Sequence, residues 1–243
     1  MTDASWPAPP VVDRATWQAE IDELRAREKA NTRERDAIAA ARRRLPMVAV
    51  DAATPLHGPD GTTSLLDAFE GRRQLLAYFF MWHPGHPAAE QCGGCTWCAS
   101  QVRELSYLHS RDITFAILCK GPYAESVRYR DFLGWQTPWY GVPELSRTSL
   151  LVGRDPSMMF IVCYLREGDQ VFETYWTTRR GVEELDNSYA LMDLTPYGRQ
   201  ETWQDVPPGW PQQEWQHAGG NLDGRPIPHW PRLAEGWSDR LDG

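Results

Sequence analysis

Apolar residues first recur at helical spacing. Trp17, Ile21 and Leu24 fall on one stripe, Ile38, Ala41 and Leu45 resume it, and the polar run REKANTRERDA lies between them. This pattern predicts one long helix, or two halves bent near Asn31, capped by Asp13 or Thr16 and closed before Pro46. Its basic end, ARRR at 41–44, reads as a solvated helix C-terminus. Ahead of it, residues 1–12 are proline-rich and predict a loose arm.

From residue 47 the rhythm changes. MVAV predicts a short strand, HGPDGTT (57–63) a turn, and SLLDAF a helical turn ended by Gly71. LLAYFFMW (75–82) is a continuous apolar run, as in a strand buried on both faces. ASQVRELSYLHS, with Val102, Leu105 and Leu108 at helical spacing, predicts a helix, and DITFAILC (112–119) a second buried strand. AESVRYRDFLGW predicts a helix stopped near Gly134. RTSLLVG and MMFIVCYLR (158–166) read as strands, the latter turning at EGD into QVFETYW. RRGVEELDNSYALMDL (179–194) reads as an amphipathic helix. Alternating strands and helices predict an α/β sheet with helices on its faces.

After residue 200 periodicity fades. Trp203, Trp210, Trp215, Trp230 and Trp237 stand among many prolines, which excludes a central strand. Either this tail wraps the domain and buries its tryptophans, or it carries a partner surface. Exposed tryptophans are costly, which favours wrapping. The expected organisation is an arm (1–12), a helical extension (13–46), an α/β domain (47–201) and a Trp/Pro-rich tail (202–243).

Composition narrows the function. A net charge of −8 argues against nucleic acid or an anionic membrane as partner. No basic segment precedes an apolar run near the N-terminus, and the longest apolar stretch is too short to span a bilayer. The expectation is a soluble cytoplasmic protein, in which disulfides are transient and catalytic.

Three of the five cysteines then stand out, in QCGGCTWCASQ (91–101). Cys92, Cys95 and Cys98 form two overlapping C-x-x-C units after a buried strand and before a helix. A helix N-terminus lowers a thiol's pKa, and a second thiol three residues on lies one turn away. This pattern points to a redox dithiol. Spacing alone leaves open which pair works, and Cys98 reads equally as a buried helix thiol. Cys119 and Cys163 read as core residues.

The alternative is a Cu(I) or Zn site using Cys92, Cys95 and Cys98 with His83 or His86 of WHPGHP. Against it, no second C-x-x-C exists to clip a distant segment. Otherwise His83 and His86 flank the dithiol, where imidazoles assist proton transfer. Trp82 and Trp97 are candidate walls of a substrate site. Lys120 and Arg128 read as surface charges, and Glu90 would oppose thiolate formation if it pointed inward.

Several segments also resemble a family. NTRERDAIAAARRRLPMV (31–48), LHGPDGTTSLLDAFEGRRQLLAYFFMW (56–82), CGGC (92–95) and RRGVEELDNSYALMDLTPYGRQE (179–201) are similar, in the same order, to the thioredoxin-like family called domain of unknown function 899. Its members are described as predicted dithiol-disulfide oxidoreductases, and the likeness spans roughly residues 15–201. It implies a thioredoxin-like fold related to the peroxiredoxin branch, with a central mixed sheet flanked by helices and an N-terminal helical extension. It places the working dithiol on Cys92 and Cys95. Family members commonly carry an aromatic residue at Cys98, so the third thiol is an addition. Such sites usually have a cis-proline facing the dithiol, for which Pro143 is a candidate. The implied partners are a thiol, disulfide or peroxide substrate and an external reductant, with no resident cofactor. The long helix also offers a surface for a homodimer, although its apolar stripe is too broken to demand a coiled coil.

Overall fold

The computed structural model describes residues 6–212 and 220–242. Trp215 and the first residues of the arm lie outside that range. Helix α1 (Arg14–Arg42) is continuous through Asn31, and Asp13 caps it by accepting the Thr16 N–H at 2.9 Å. Strand β1 (Val48–Val50) follows. The HGPDGTT turn closes a hairpin of β2 (Pro55–Gly58) and β3 (Gly61–Ser64), with Gly61 at φ 102°. Positive φ is costly for residues with a Cβ, so glycine suits this corner.

The continuous apolar run forms β4 (Gln74–Phe80). Its odd residues Leu75, Ala77 and Phe79 face one core, and Tyr78 and Phe80 face another. Cores on both faces explain why this strand shows no alternation. Helix α2 (Gly93–Gln101) comes next, then α3 (Ser106–His109), β5 (Ile113–Cys119), α4 (Tyr123–Phe132) and β6 (Trp139–Gly141). The one helix expected over 99–110 is therefore two, parted where Val102 adopts extended backbone.

RTSLLVG (147–153) is not a strand: α5 (Glu144–Leu150) runs through its first four residues and a turn takes the rest. Pro143 stands at its N-cap, and Ser146 and Leu150 turn inward one helical turn apart. Pro143 is thus a helix start rather than a cis-proline, and the described residues contain no cis peptide bond. Strands β7 (Phe160–Glu167) and β8 (Gln170–Thr178) form the expected hairpin. The amphipathic helix expected over 179–194 divides into a 3-10 segment (Arg179–Leu185) and α6 (Asn187–Met192), with Asp186 at the joint. The tail adds β9 (Asn221–Leu222), β10 (Arg225–Pro226) and α7 (His229–Ala234).

The main sheet runs β1-β8-β7-β4-β5-β6-β2-β3. β4, β5 and β6 are parallel, and the other pairings are antiparallel. This is the α/β architecture expected, a mixed sheet flanked by helices with an N-terminal helix. Its parallel centre aims the C-terminal ends of β4 and β5 at one edge, where α2 begins. No helix among the described residues is long and apolar enough to cross a membrane.

The described tail lies against the body, and of its described tryptophans Trp210 takes part, half-buried against Tyr197 with ring centroids 5.2 Å apart. Trp203, Trp230 and Trp237 are exposed, whereas His229 and Leu241 are buried. Polar contacts secure it: Arg128, half-buried rather than a free surface charge, donates to the Leu241 carbonyl at 3.0 Å. Arg232 donates to the Phe132 carbonyl at 2.7 Å.

Candidate active site

At the end of β4 the chain passes through Met81 and Trp82 into a loop held by one buried amide. The Gln91 side chain accepts from the His83 N–H (3.0 Å) and donates to the His83 and His86 carbonyls (2.9 and 3.1 Å). Trp82 is buried, and its indole N–H shares Glu125 with the Gly85 N–H. His83 and His86 are exposed, and His86 pairs with Glu90 at 2.8 Å, which occupies Glu90 away from the thiols.

Cys92 is the N-cap of α2. Its Sγ accepts the Cys95 N–H at 3.3 Å, the geometry of a capping side chain. It is half-buried, whereas Cys95 and Cys98 are buried. The Cys92 thiol is drawn down to about 7, first by a hydrogen bond from the Cys95 thiol and then, against burial, by the Cys95 and Gly94 N–H groups and the Lys120 charge. Cys95 is pushed well above the usual thiol range by burial and by Cys92 beside it. The Met81 N–H points at Cys95 Sγ from 3.4 Å. One thiol is thus poised as thiolate, and its neighbour one turn on holds its proton.

Cys98, a further turn along, donates to Asp186 Oδ2 at 3.6 Å. Burial, then the Asp186 charge, raises Cys98 well above its ordinary value. Burial likewise lifts Asp186 to about 6. The buried Tyr78 hydroxyl stands beside Cys95 and Cys98 without a well-formed hydrogen bond to either. Trp97 turns inward onto Tyr189, ring centroids 5.0 Å apart. Cys119 is fully buried at the end of β5 and Cys163 half-buried in β7.

Lys120 is no surface charge: it is 4% exposed. Its backbone N–H bonds the Phe80 carbonyl, and its ammonium donates to the Pro156 and Met158 carbonyls. Burial lowers it to about 8. A cation held at the mouth of two parallel strands favours thiolate at Cys92. Nothing in the residues around it signalled this, because only the sheet's parallel pairing brings Phe80 to Lys120.

A hydrogen-bond chain from the tail also reaches the dithiol. Thr96 Oγ1 donates to the Cys92 carbonyl (2.8 Å) and lies 2.6 Å from Tyr129 Oη, which is 2.8 Å from His229 Nε2. Once Thr96 gives its proton to the carbonyl, Tyr129 must donate to Thr96 and His229 to Tyr129. His229 therefore carries a proton on Nε2, and burial, which lowers it to about 4, keeps the ring neutral at pH 7. Sequence reasoning missed this chain, whose members lie 33 and 100 residues apart.

The three thiols and two imidazoles weighed as metal ligands do not converge. Among the described residues, no group of three or more His, Cys, Asp or Glu is arranged to hold an ion. A soft ion needs several donors aimed at one point, and here the imidazoles face solvent while Cys98 faces Asp186.

No curated protein matches the chain in sequence. Among solved structures it is similar to a protein designated thiol:disulfide interchange protein DsbE from Chlorobium tepidum, at 12% identity and a TM-score of 0.39, over 60% of this chain and 98% of that one. It is also similar to thioredoxin from Wuchereria bancrofti, at 17% identity and a TM-score of 0.31, over 57% of this chain and 89% of the other. These are distant likenesses, and the chemistry rests on the site itself. The family match is extensive: over residues 6–219 the sequence fits one profile, and the chain belongs to the bacterial proteins of unknown function grouped as DUF899.

Proposed function

We propose that the chain is a thiol–disulfide oxidoreductase cycling a Cys92–Cys95 dithiol and disulfide. The observation that carries this reading is the asymmetry of the pair. Cys92 is half-exposed at a helix N-cap and lowered to about 7, while Cys95 is buried one turn away and raised.

Cys92 thiolate attacks one sulfur of a substrate disulfide, forms a mixed disulfide and releases the first substrate thiolate. Cys95 gives up its proton and attacks Cys92 Sγ, closing the Cys92–Cys95 bond and releasing the second thiolate. Two electrons pass from the dithiol to the substrate, and an external dithiol restores the enzyme. The attacking group needs a pKa near ambient pH, and the resolving thiol must stay protonated until needed. Cys98 is the alternative resolver, with Asp186 placed to take its proton.

Turnover of a model aromatic disulfide with dithiothreitol as reductant tests the proposal. The wild type should turn over, C92S should be inactive, and C95S should accumulate a mixed disulfide on Cys92. Undiminished turnover by C92S would overturn it.

A further inference from the structure

The dithiol lies where β4 ends. Toward the start of that strand, the same face of the sheet carries a second hollow. Leu76 of β4 pairs with Cys163 of β7, and Cys163 with Tyr175 of β8, so the three side chains form one row across the sheet. Toward the dithiol, α2 covers this face with Cys95 and Cys98. At the row itself, cover is left to α3, which packs on β5, and to the segment that leaves α1 on the far side.

Between these two covers opens a groove of about 660 Å³, lined by Leu108 of α3 and by Leu45 and Met47 beyond α1. Leu76, Cys163 and Leu108 are only half-buried, and Leu45 and Met47 are 51% and 45% exposed. A packed core would have closed over such a row. An apolar hollow of roughly 300–1,000 Å³ with a few polar groups converging on it is the form of a small-molecule site.

The charged groups that line it are of one sign. Arg42 and Arg43 both face the groove, and neither is paired with a carboxylate among the described residues. Arg44, by contrast, turns back onto the Ala40 carbonyl at 2.6 Å and serves the helix end. The Arg42 guanidinium stacks over Tyr175 at 5.0 Å, which holds it above the row and leaves its N–H edges free to donate. Its charge reaches Cys163, partly offsetting the rise to about 11 that burial gives that thiol. Glu173, the carboxylate that also reaches Cys163, is engaged by Arg154. In a chain of net charge −8, an apolar groove rimmed by two unpaired arginines is complementary to an apolar anion.

We infer that this groove binds a free fatty acid, with its acyl chain along the Leu76–Cys163–Tyr175 row and its carboxylate on Arg42 and Arg43. From β5, under Leu108, to β8 the face crosses three strand spacings, about 14 Å at the usual ~4.8 Å each, which accommodates a medium-length chain. The lining is aliphatic, and the flexible Met47 adapts to a chain of variable shape. Arginine receives a carboxylate through two parallel N–H donors, which fixes the head while the chain lies on the apolar row. The site is separate from the dithiol and takes no part in thiol exchange.

Calorimetric titration of the full chain with monomeric dodecanoate tests the inference. The wild type should bind it, and R42Q/R43Q should weaken binding roughly tenfold or more with an unchanged far-ultraviolet spectrum, because neither arginine has an ion pair to lose. L45D/M47D, which puts charge on the exposed lip, should abolish binding. Dodecyltrimethylammonium, with the same chain and the opposite charge, should not bind. Dodecanoate should also slow alkylation of Cys163 several-fold at alkaline pH, followed by mass spectrometry of its peptide. No binding by the wild type, equal binding of the cationic amphiphile, affinity indifferent to R42Q/R43Q, or an unshielded Cys163 would each overturn the inference. Binding to phosphatidylglycerol vesicles in place of monomeric dodecanoate would assign the groove to a lipid surface and overturn it equally.

Discussion

Gly93, the first residue of α2, lies directly beneath Asn221 of the tail. A Cβ on Gly93 would fall on Asn221 Oδ1, and one on Gly220 would strike the Gly93 backbone. The glycine after Cys92 therefore does more than permit a turn. It leaves room for the tail to rest on the dithiol loop, and G220A, which drives a methyl into backbone, should cost about 1–3 kcal/mol. Thermal unfolding measures that cost. Alkylation of Cys92 should accelerate as the tail lifts, and an unchanged rate would mean the tail does not cover the thiol.

Alkylation of Cys92 should also follow its thiolate. The rate should rise with pH to a midpoint near 7 and level off above it. K120M removes a cation that helps hold the thiol down, so its midpoint should move to higher pH. The variant should be several-fold slower below neutrality and comparable at alkaline pH. Equal midpoints in the two proteins would remove Lys120 from the site's electrostatics.

Asp186 makes a signed stability prediction. Its folded-state value of about 6 lies above the ordinary 3.8 of a free aspartate, so the folded protein binds this proton more tightly than the unfolded chain. That contribution is fully present below pH 3.8 and lost as pH rises through 6. D186N, which mimics the neutral form, should stabilise the protein by roughly 1–3 kcal/mol above pH 6, with the gain vanishing toward pH 3.8. Denaturant unfolding across this range shows whether the gain has that pH dependence.

His229 has the opposite sign. Its folded value of about 4 lies below 6.5, so stability is present above pH 6.5 and lost as pH falls toward 4. H229A removes a buried ring and the donor to Tyr129, and should cost about 2–4 kcal/mol at neutral pH. It should also flatten the acid limb of the stability curve. An unaltered acid limb would assign that loss to other groups.

What was legible in the chain follows from how far each interaction reaches. The Asp13 cap, the turn at Gly61, the apolar run of β4 and the position of Cys92 at the opening of α2 depend on neighbours within a few residues. Backbone geometry and spacing suffice to read them. The α5 segment misled because RTSLLVG is apolar enough for a strand, and its helical state is set by Pro143 ahead of it and by burial of Ser146 and Leu150. Cys98 had no distinguishing local signal, since its role depends on Asp186, 88 residues away.

The sequence by itself determined the alternation of strands and helices and the placing of Cys92 at a helix entrance, because those are local properties. Only the tertiary structure decided what surrounds the thiols. Parallel pairing of β4 and β5 carries Lys120 to the strand mouth, the joint before α6 carries Asp186 to Cys98, and the tail carries His229 to Tyr129. A thiol's pKa is set by burial and by the charges and donors within a few ångströms, and the folded chain draws those from residues far apart in sequence.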